Sequence, residues 1–208
     1  EGNATIRHFL PKINTAMTLY VGGALAQNDY TIKSPYVDGL KIKRDHDALK
    51  MIDYAVSFNF MNGYFDEAKV EILGYANRKE MQGIETNIRH TFNKGFTTGG
   101  NIHMEKTSFL TKRLNLKFNF EYLYINSCLN DTSSFVYDFH GNKRPNSYKG
   151  EKGSVPNLSD DNTHDIRYNL NLKYQLIPKT MFINLNNDFR FVSLEANDTA
   201  AQKIKKKP

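Results

Sequence analysis

The sequence predicts an all-β fold, an antiparallel up-and-down β-barrel of about eight strands. Three observations carry that prediction. Apolar and polar residues alternate with a period of two over long runs, no segment shows a comparable helical period, and the connections between runs sort into short and long. A length of 208 residues suits one domain or one closed barrel. No run of about 18 apolar residues exists to form a membrane helix, which excludes a helical membrane protein. The low mean hydropathy of -0.59 is compatible with a barrel, whose alternating strands average apolar with polar.

The elements follow in order. Residues 4–10 and 13–32 flank Pro11-Lys12, and a matching Pro178-Lys179 turn joins 163–176 to 180–194, so both pairs read as tight hairpins. In the run 51–60, Ile52, Tyr54, Val56, Phe58 and Phe60 alternate with Asp53, Ala55, Ser57 and Asn59. The run 68–92 reads as one strand in which Ile84, Ile88 and Phe92 face away from Glu85, Asn87, Arg89 and Thr91. After 96–105, the run 112–126 sets Leu114, Leu116, Phe118, Phe120, Tyr122 and Tyr124 against Asn115, Lys117, Asn119 and Glu121. Ile166, Tyr168, Leu170, Leu172, Tyr174 and Leu176 alternate without a miss against Arg167, Asn169, Asn171, Lys173 and Gln175. In the last run Met181, Ile183, Leu185, Phe189 and Phe191 oppose Asn184, Asn186, Asp188 and Arg190. Residues 1–194 are thus expected to be the barrel domain or barrel segment, and 195–208 a polar, lysine-rich tail holding Lys203, Lys205, Lys206 and Lys207.

In up-and-down order the long loops 33–50 and 127–162 fall on one rim, and the turns near 11–12, 61–67, 106–111 and 177–179 on the other. Outer-membrane barrels are built this way, with the long loops outside the cell. The third connection on the long-loop rim, near 93–95, is expected to be short. Aromatic residues near strand ends and polar positions rich in asparagine and both charge signs turn the apolar face outward to lipid, which places the chain in a bacterial outer membrane. The absence of tryptophan, and apolar faces interrupted by Thr86, His90 and Thr98, weigh the other way, toward a soluble antiparallel β protein that binds a ligand or partner.

Several polar groupings bear on chemistry. Asp160, Asp161, Asn162, His164 and Asp165 form the densest, and Asp45, His46 and Asp47 a smaller one; neither has calcium-loop spacing, so no metal or other cofactor is expected. The histidines are scattered, with no nucleophile elbow and no catalytic residue to assign, so an enzyme is not expected. His90 and His103 flank the expected turn, where two histidines could stand side by side, but ordinary strand positions are the expected reading. Gly22-Gly23 and Gly99-Gly100 lie within strands and mark bulges or close backbone approach, not a phosphate loop. The lone Cys128 allows neither an internal disulfide nor a thiolate zinc site. The net charge of +6 owes much to the tail, and Lys41, Lys43, Arg44 with Lys143, Arg144, Lys149 and Lys152 read as solvated loops, so no nucleic-acid partner is expected. Residues 1–10 lack a basic start followed by an apolar stretch, so the chain reads as a mature form or an excised piece.

Tyr75-Ala76-Asn77, Gly83-Ile84-Glu85, Phe92-Asn93-Lys94-Gly95-Phe96 and Gly99-Gly100-Asn101 resemble the late barrel strands of TonB-dependent outer-membrane receptors. Val155-Pro156-Asn157, followed by His164 and the run Ile166 to Leu176, is similar to the segment that opens a later strand in that family. About half the chain is covered; nothing resembles the plug or its partner-binding box, and no terminal aromatic closes the sequence. The resemblance implies a portion of a larger transmembrane barrel of about twenty-two strands, or a smaller relative. It also implies import of a metal chelate, vitamin or glycan. The partners expected are outer-membrane lipid, an extracellular small ligand at loops 33–50 and 127–162, and an inner-membrane energy-coupling protein only within a full receptor. An eight-stranded structural or adhesion barrel is the third reading. One conflict stands: the family places the turn after Gly-Ile-Glu on the periplasmic rim, whereas loop lengths place 93–95 outside, and a split of 68–92 near Arg78 to Met81 satisfies only the first.

Overall fold

The computed structural model describes residues 1–200 apart from 35–36, 62, 84–86, 139, 148 and 153–155. Its strands are β1 (Gly2–Leu10), β2 (Thr15–Ala26), β3 (Tyr30–Lys33), β4 (Lys41–Arg44), β5 (Leu49–Phe60), β6 (Glu67–Glu80), β7 (Phe92–Lys106), β8 (Leu114–Asp131), β9 (Phe135–Tyr137), β10 (Lys143–Pro145), β11 (Asn157–Ile177) and β12 (Met181–Glu195). Eight of them form one antiparallel sheet in the order β1-β2-β5-β6-β7-β8-β11-β12. This is the expected up-and-down meander. The expected closure into an eight-stranded barrel does not occur: the sheet is open, with β1 and β12 as its edges, each paired with one neighbour.

Both proline-lysine turns are tight hairpins. Pro11 starts a single 3-10 turn, suited by its fixed φ, and Asn14 leaves it in the left-handed region at φ 47°. Lys179 takes φ 65° in the second turn, where a register shift between Gln175 and Ile177 lets β12 start. The connections at 61–66 and 107–113 share this rim.

The opposite rim carries three long connections, 27–48, 81–91 and 132–156, and the first and last each contain a small hairpin, β3-β4 and β9-β10. Two expectations are corrected here. The run 68–92 is neither one strand nor two: β6 stops at Glu80, β7 begins at Phe92, and the described residues between them belong to no named strand. Ile88, which continued the apparent alternation, is instead buried in the loop, 3% exposed, while Ile84, Glu85 and Thr86 lie outside the described residues. Asn93 to Gly95 are consequently strand, paired with Lys79 to Asn77, and no turn occurs there. The rim therefore has three long connections of three, and the loop sorting holds better than the sequence suggested.

Strands β8 and β11 also run past their expected limits, shortening the last loop from 127–162 to 132–156. Beyond Tyr124 the two faces trade character: Asn126 and Asn130 continue the formerly apolar face while Ile125 and Leu129 continue the formerly polar one. Alternation read from one face ends there, although pairing does not. The expected tail is partly ordered as well. Asp160 N–H donates to Asn197 O at 2.8 Å and Leu158 N–H to Asp198 Oδ1 at 3.2 Å, which ties residues after β12 back to β11. Residues 201–208 lie outside the described residues.

The packing is inverted relative to an ordinary domain. The strands form one layer with no second layer over either face among the described residues, and Ile52, Ile72, Leu185 and Phe191 are each 50% or more exposed. A sheet with one apolar face is not stable in water until that face is covered. Most fully buried groups are in the loops or at strand ends beside them: Ile42, Arg44, Asn87, Ile88, Thr91, Asp131 and Glu151.

Candidate functional site

The two faces of the sheet differ in kind, and hydrogen-bonded register makes the difference explicit. One row across all eight strands reads His8, Met17, Phe58, Val70, Ile102, Phe120, Tyr168, Phe189. The adjacent row, on the other face, reads Arg7, Thr18, Ser57, Glu71, Asn101, Glu121, Arg167, Arg190. Directly opposed residues share a face, so these rows are contiguous stripes.

On the apolar face the stripe widens into a band. It covers Ile52 to Phe60 on β5, Ala68 to Ala76 on β6, Phe96 to Met104 on β7, Leu114 to Tyr124 on β8, Ile166 to Leu176 on β11 and Met181 to Phe191 on β12, with Thr98 and Asn187 as its polar interruptions. Each run is about 9–11 residues long, the length that crosses a bilayer as a tilted strand. The band does not follow the hydrogen-bond rows. Its upper limit is Ile166, opposite Tyr122, on β11, but Phe96, opposite Asn126, on β7; its lower limit falls beyond Tyr174, the partner of Leu114, on β11, but at Ala68, in the row of Phe118, on β6. The shift is concentrated between β11 and β7. Averaged over the five steps from β12, whose limit Phe191 lies in the row of Tyr122, to β5, whose limit Ile52 lies in the row of Asn126, the shear is roughly one residue per strand. At about 3.3 Å per residue against about 4.8 Å between strands, that mean is a tilt near 35°. Transmembrane barrels tilt their strands by about 35–45°.

On the polar face the side chains pair across strands. Asp165 receives Arg167 at 2.6 Å and Arg190 at 2.8 Å, and Arg167 also reaches Glu121 at 3.5 Å. Glu71 holds Lys69 at 2.7 Å and accepts from Asn101 at 3.1 Å. His103 Nδ1 donates to Asn119 Oδ1 at 2.6 Å, Asn119 reaches Asn169, and Asn169 donates to Asp188. Asn171 donates to Asn184 and Asn186 one level further. Glu67, His103 and Glu105 have ligand atoms within 4.8 Å of one another, but Lys117 Nζ stands 2.6 Å from Glu105 and already supplies a cation there. Small residues let the backbones approach behind this lattice. A Cβ on Gly100 would stand 2.6 Å from the Glu71 carbonyl, so close approach, not a bulge, explains Gly99-Gly100, whose register is continuous.

The three long connections converge on Thr91, which is 0% exposed. His46, from the first connection, donates from Nε2 to the Thr91 carbonyl at 2.8 Å, and its Nδ1 lies 3.4 Å from Glu80. Glu151, from the third, accepts the backbone N–H groups of Arg89, His90 and Thr91 at 3.1, 2.7 and 3.1 Å. The Thr91 hydroxyl donates to Asp131 at 2.7 Å, and Asp131 accepts the N–H groups of Glu151 and Lys152. Tyr137 closes the assembly, with its carbonyl on Asn87 N–H, its hydroxyl 3.2 Å from His90 and its ring 5.0 Å from the Arg89 guanidinium. These loops form a built cap. Asp138, farther out in the third connection, has its carboxyl held below the usual range, first by the Asn142 side chain and then by backbone N–H groups and Arg144.

The polar groupings singled out in the sequence do not assemble into a chelate. Asp160, Asn162 and His164 project from one face of β11 and Asp161 and Asp165 from the other. Asn162 accepts from Tyr124, and His164 meets the Tyr122 hydroxyl at 2.9 Å. His46 is spent on the loop junction rather than grouped with Asp45 and Asp47. His90 and His103 are not neighbours, because the expected turn between them is strand: His90 belongs to the cap and His103 to the polar lattice. The loop cations are dispersed, with Arg44 buried, Lys43 near Asp29 at 3.7 Å, Arg144 near Asp138 at 3.7 Å and Lys143 over the Phe135 ring at 3.6 Å. Thr91, Asp131 and Glu151 were missed; an acid among Lys149, Lys152 and Gly150 was the one available signal, and it does not say what it binds. Of the residues that resemble TonB-dependent receptors, Gly83-Ile84-Glu85 and Val155 lie partly or wholly outside the described residues.

Comparison of the chain with family models, curated proteins and solved structures gave no match.

Proposed function

We propose that the chain is wall of a bacterial outer-membrane β-barrel with a receptor or transport role, in which the apolar band meets lipid and the polar lattice lines a water-filled lumen. One observation carries this reading. A tilted band of bilayer-crossing length lies on one face of a single-layer sheet, with a lattice of paired polar side chains on the other. Water alone leaves the first face uncovered, whereas lipid outside and water inside satisfy both. The capped long loops are the surface offered to an extracellular small ligand. A TonB-dependent receptor, with its inner-membrane coupling protein, is the class that the sequence resemblance adds to this proposal.

The test is refolding of the chain in detergent micelles and, separately, in plain buffer, followed by circular dichroism and sedimentation. Dispersed, strand-rich protein in detergent and aggregation in buffer are expected. A monomer that folds cooperatively in plain buffer contradicts the proposal and selects the soluble β protein.

A further inference from the structure

Lys50 on β5, Arg78 on β6 and Lys94 on β7 occupy a single register row, Lys50 opposite Arg78 and Arg78 opposite Lys94. All three are exposed and lie on the apolar side of the sheet. Cβ atoms of directly opposed residues are about 4.5–5.5 Å apart, and like charges so placed repel. The protein does not relieve this. None of the three forms an ion pair among the described residues, whereas Lys69, Lys106 and Lys117 each hold a carboxylate within 3 Å. The nearby Glu80 is engaged by the Ala48 N–H at 3.2 Å and by His46 at 3.4 Å. Asp160, farther along the row beyond Cys128, is held by Asn126 at 2.6 Å. Arg78 is fixed by stacking, its guanidinium carbon 4.0 Å from the centre of the Phe92 ring.

The height of this row identifies the partner. It lies two residues beyond Ile52, Ala76 and Phe96, the last apolar positions of the band on these strands. Two residues are about 6–7 Å along a strand. The polar zone of a bilayer begins at the hydrocarbon edge and is about 5–8 Å deep on each side. We infer that Lys50, Arg78 and Lys94 form a binding site for the phosphate of a lipid head group, at the long-loop rim and on the lipid side of the wall. A phosphate ester there places its anionic oxygens among three cations that otherwise repel, and the planar Arg78 fork supplies paired donors.

This inference rests on the proposed membrane reading, and the experiment separates the two. The full chain, with Cys128→Ser and a bimane label at Ile72→Cys, is reconstituted in phosphatidylcholine vesicles with and without phosphatidic acid. Quenching of the label by brominated acyl chains reports insertion; immobilisation of spin-labelled phosphatidic acid, against spin-labelled phosphatidylcholine, reports the site. Selective immobilisation of phosphatidic acid is expected, falling roughly fivefold for each of Lys50→Gln, Arg78→Gln and Lys94→Gln, the effect of about one surface charge. Lys12→Gln and Lys41→Gln leave it unchanged, and Lys50→Arg with Lys94→Arg preserves it. A quenched label without lipid selectivity, or selectivity indifferent to the three substitutions, overturns the site and leaves the membrane reading standing. An unquenched label overturns both. Loss of selectivity on adding inorganic phosphate at constant ionic strength means that the row takes free phosphate, which also overturns a head-group site.

Discussion

Removal of the Glu151 carboxylate should release the 81–91 connection from the cap. Glu151 is 7% exposed and accepts three consecutive backbone N–H groups, so Glu151→Ala leaves those of Arg89, His90 and Thr91 without their acceptor beside a fully buried Thr91. Hydrogen bonds to a charged acceptor contribute about 1.5–3 kcal/mol each, and water recovers part of the loss once the loop lifts, so the local cost is about 3–5 kcal/mol. At 1.4 kcal/mol per decade this is a fall of roughly a hundredfold or more in amide hydrogen-exchange protection at residues 89–91. The measurement is exchange by NMR or mass spectrometry on chain refolded in detergent. Protection at Phe120 and Tyr168, paired in the middle of the sheet, should not change, because the cap joins β8 only at its end, at Asp131. Glu151→Gln keeps one acceptor oxygen and should give an intermediate loss. Protection at 89–91 within threefold of the parent after Glu151→Ala would refute the reasoning.

Three further outcomes follow from the same geometry. Asp165→Asn leaves Arg167 and Arg190 sharing a neutral acceptor, and because both guanidinium groups are about half exposed the expected loss is only about 1–2 kcal/mol, read as a lower urea midpoint in detergent; Glu121→Gln, at 3.5 Å, should cost less, and an equal loss contradicts the ranking. Gly100→Ala places a Cβ 2.6 Å from the Glu71 carbonyl and should destabilise the β6-β7 pairing by about 1–3 kcal/mol; a neutral result means that the strands are not in this close approach. The Asp66 carboxyl is held well below the usual carboxylate range by the Thr107 hydroxyl first, then by Lys106 and the Thr107 N–H. A carboxylate depressed in the folded state stabilises it above the unfolded value of about 4 and loses that contribution as pH falls through the folded value. The link from 61–66 to 107–113 should thus survive mild acid, and an NMR titration of Asp66 near pH 4 would contradict it.

Legibility in the sequence followed the physics that shapes each part. Strand and hairpin positions were readable because a half-covered sheet imposes a period of two, unbroken from Ile166 to Leu176, and because Pro11 and Pro178 punctuate it. The polar lattice was visible only as asparagine-rich alternate positions. That Asn119 meets His103 and Asn169 depends on register, which no single strand contains. The end of β6 was misread because Ile88 and Phe92 keep an even spacing by coincidence; Ile88 is buried by the cap, a tertiary contact that local pattern cannot distinguish from a strand face. The cap itself was opaque for the same reason, since Glu151 and Asp131 recognise backbone N–H groups that every sequence possesses. Openness of the sheet was equally invisible: alternation specifies faces and says nothing of what lies beside the first and last strand.

The central claim is that even-numbered residues of the middle strands meet lipid and odd-numbered residues meet water. Single cysteines at 117–122 of β8, introduced one at a time into a Cys128→Ser background and labelled in reconstituted vesicles, test it most directly. Quenching by brominated acyl chains should rise at Phe118, Phe120 and Tyr122 and fall at Lys117, Asn119 and Glu121, with a water-soluble quencher giving the opposite pattern. Equal access of the water-soluble quencher to both sets, or protection of both from lipid, would contradict a membrane wall.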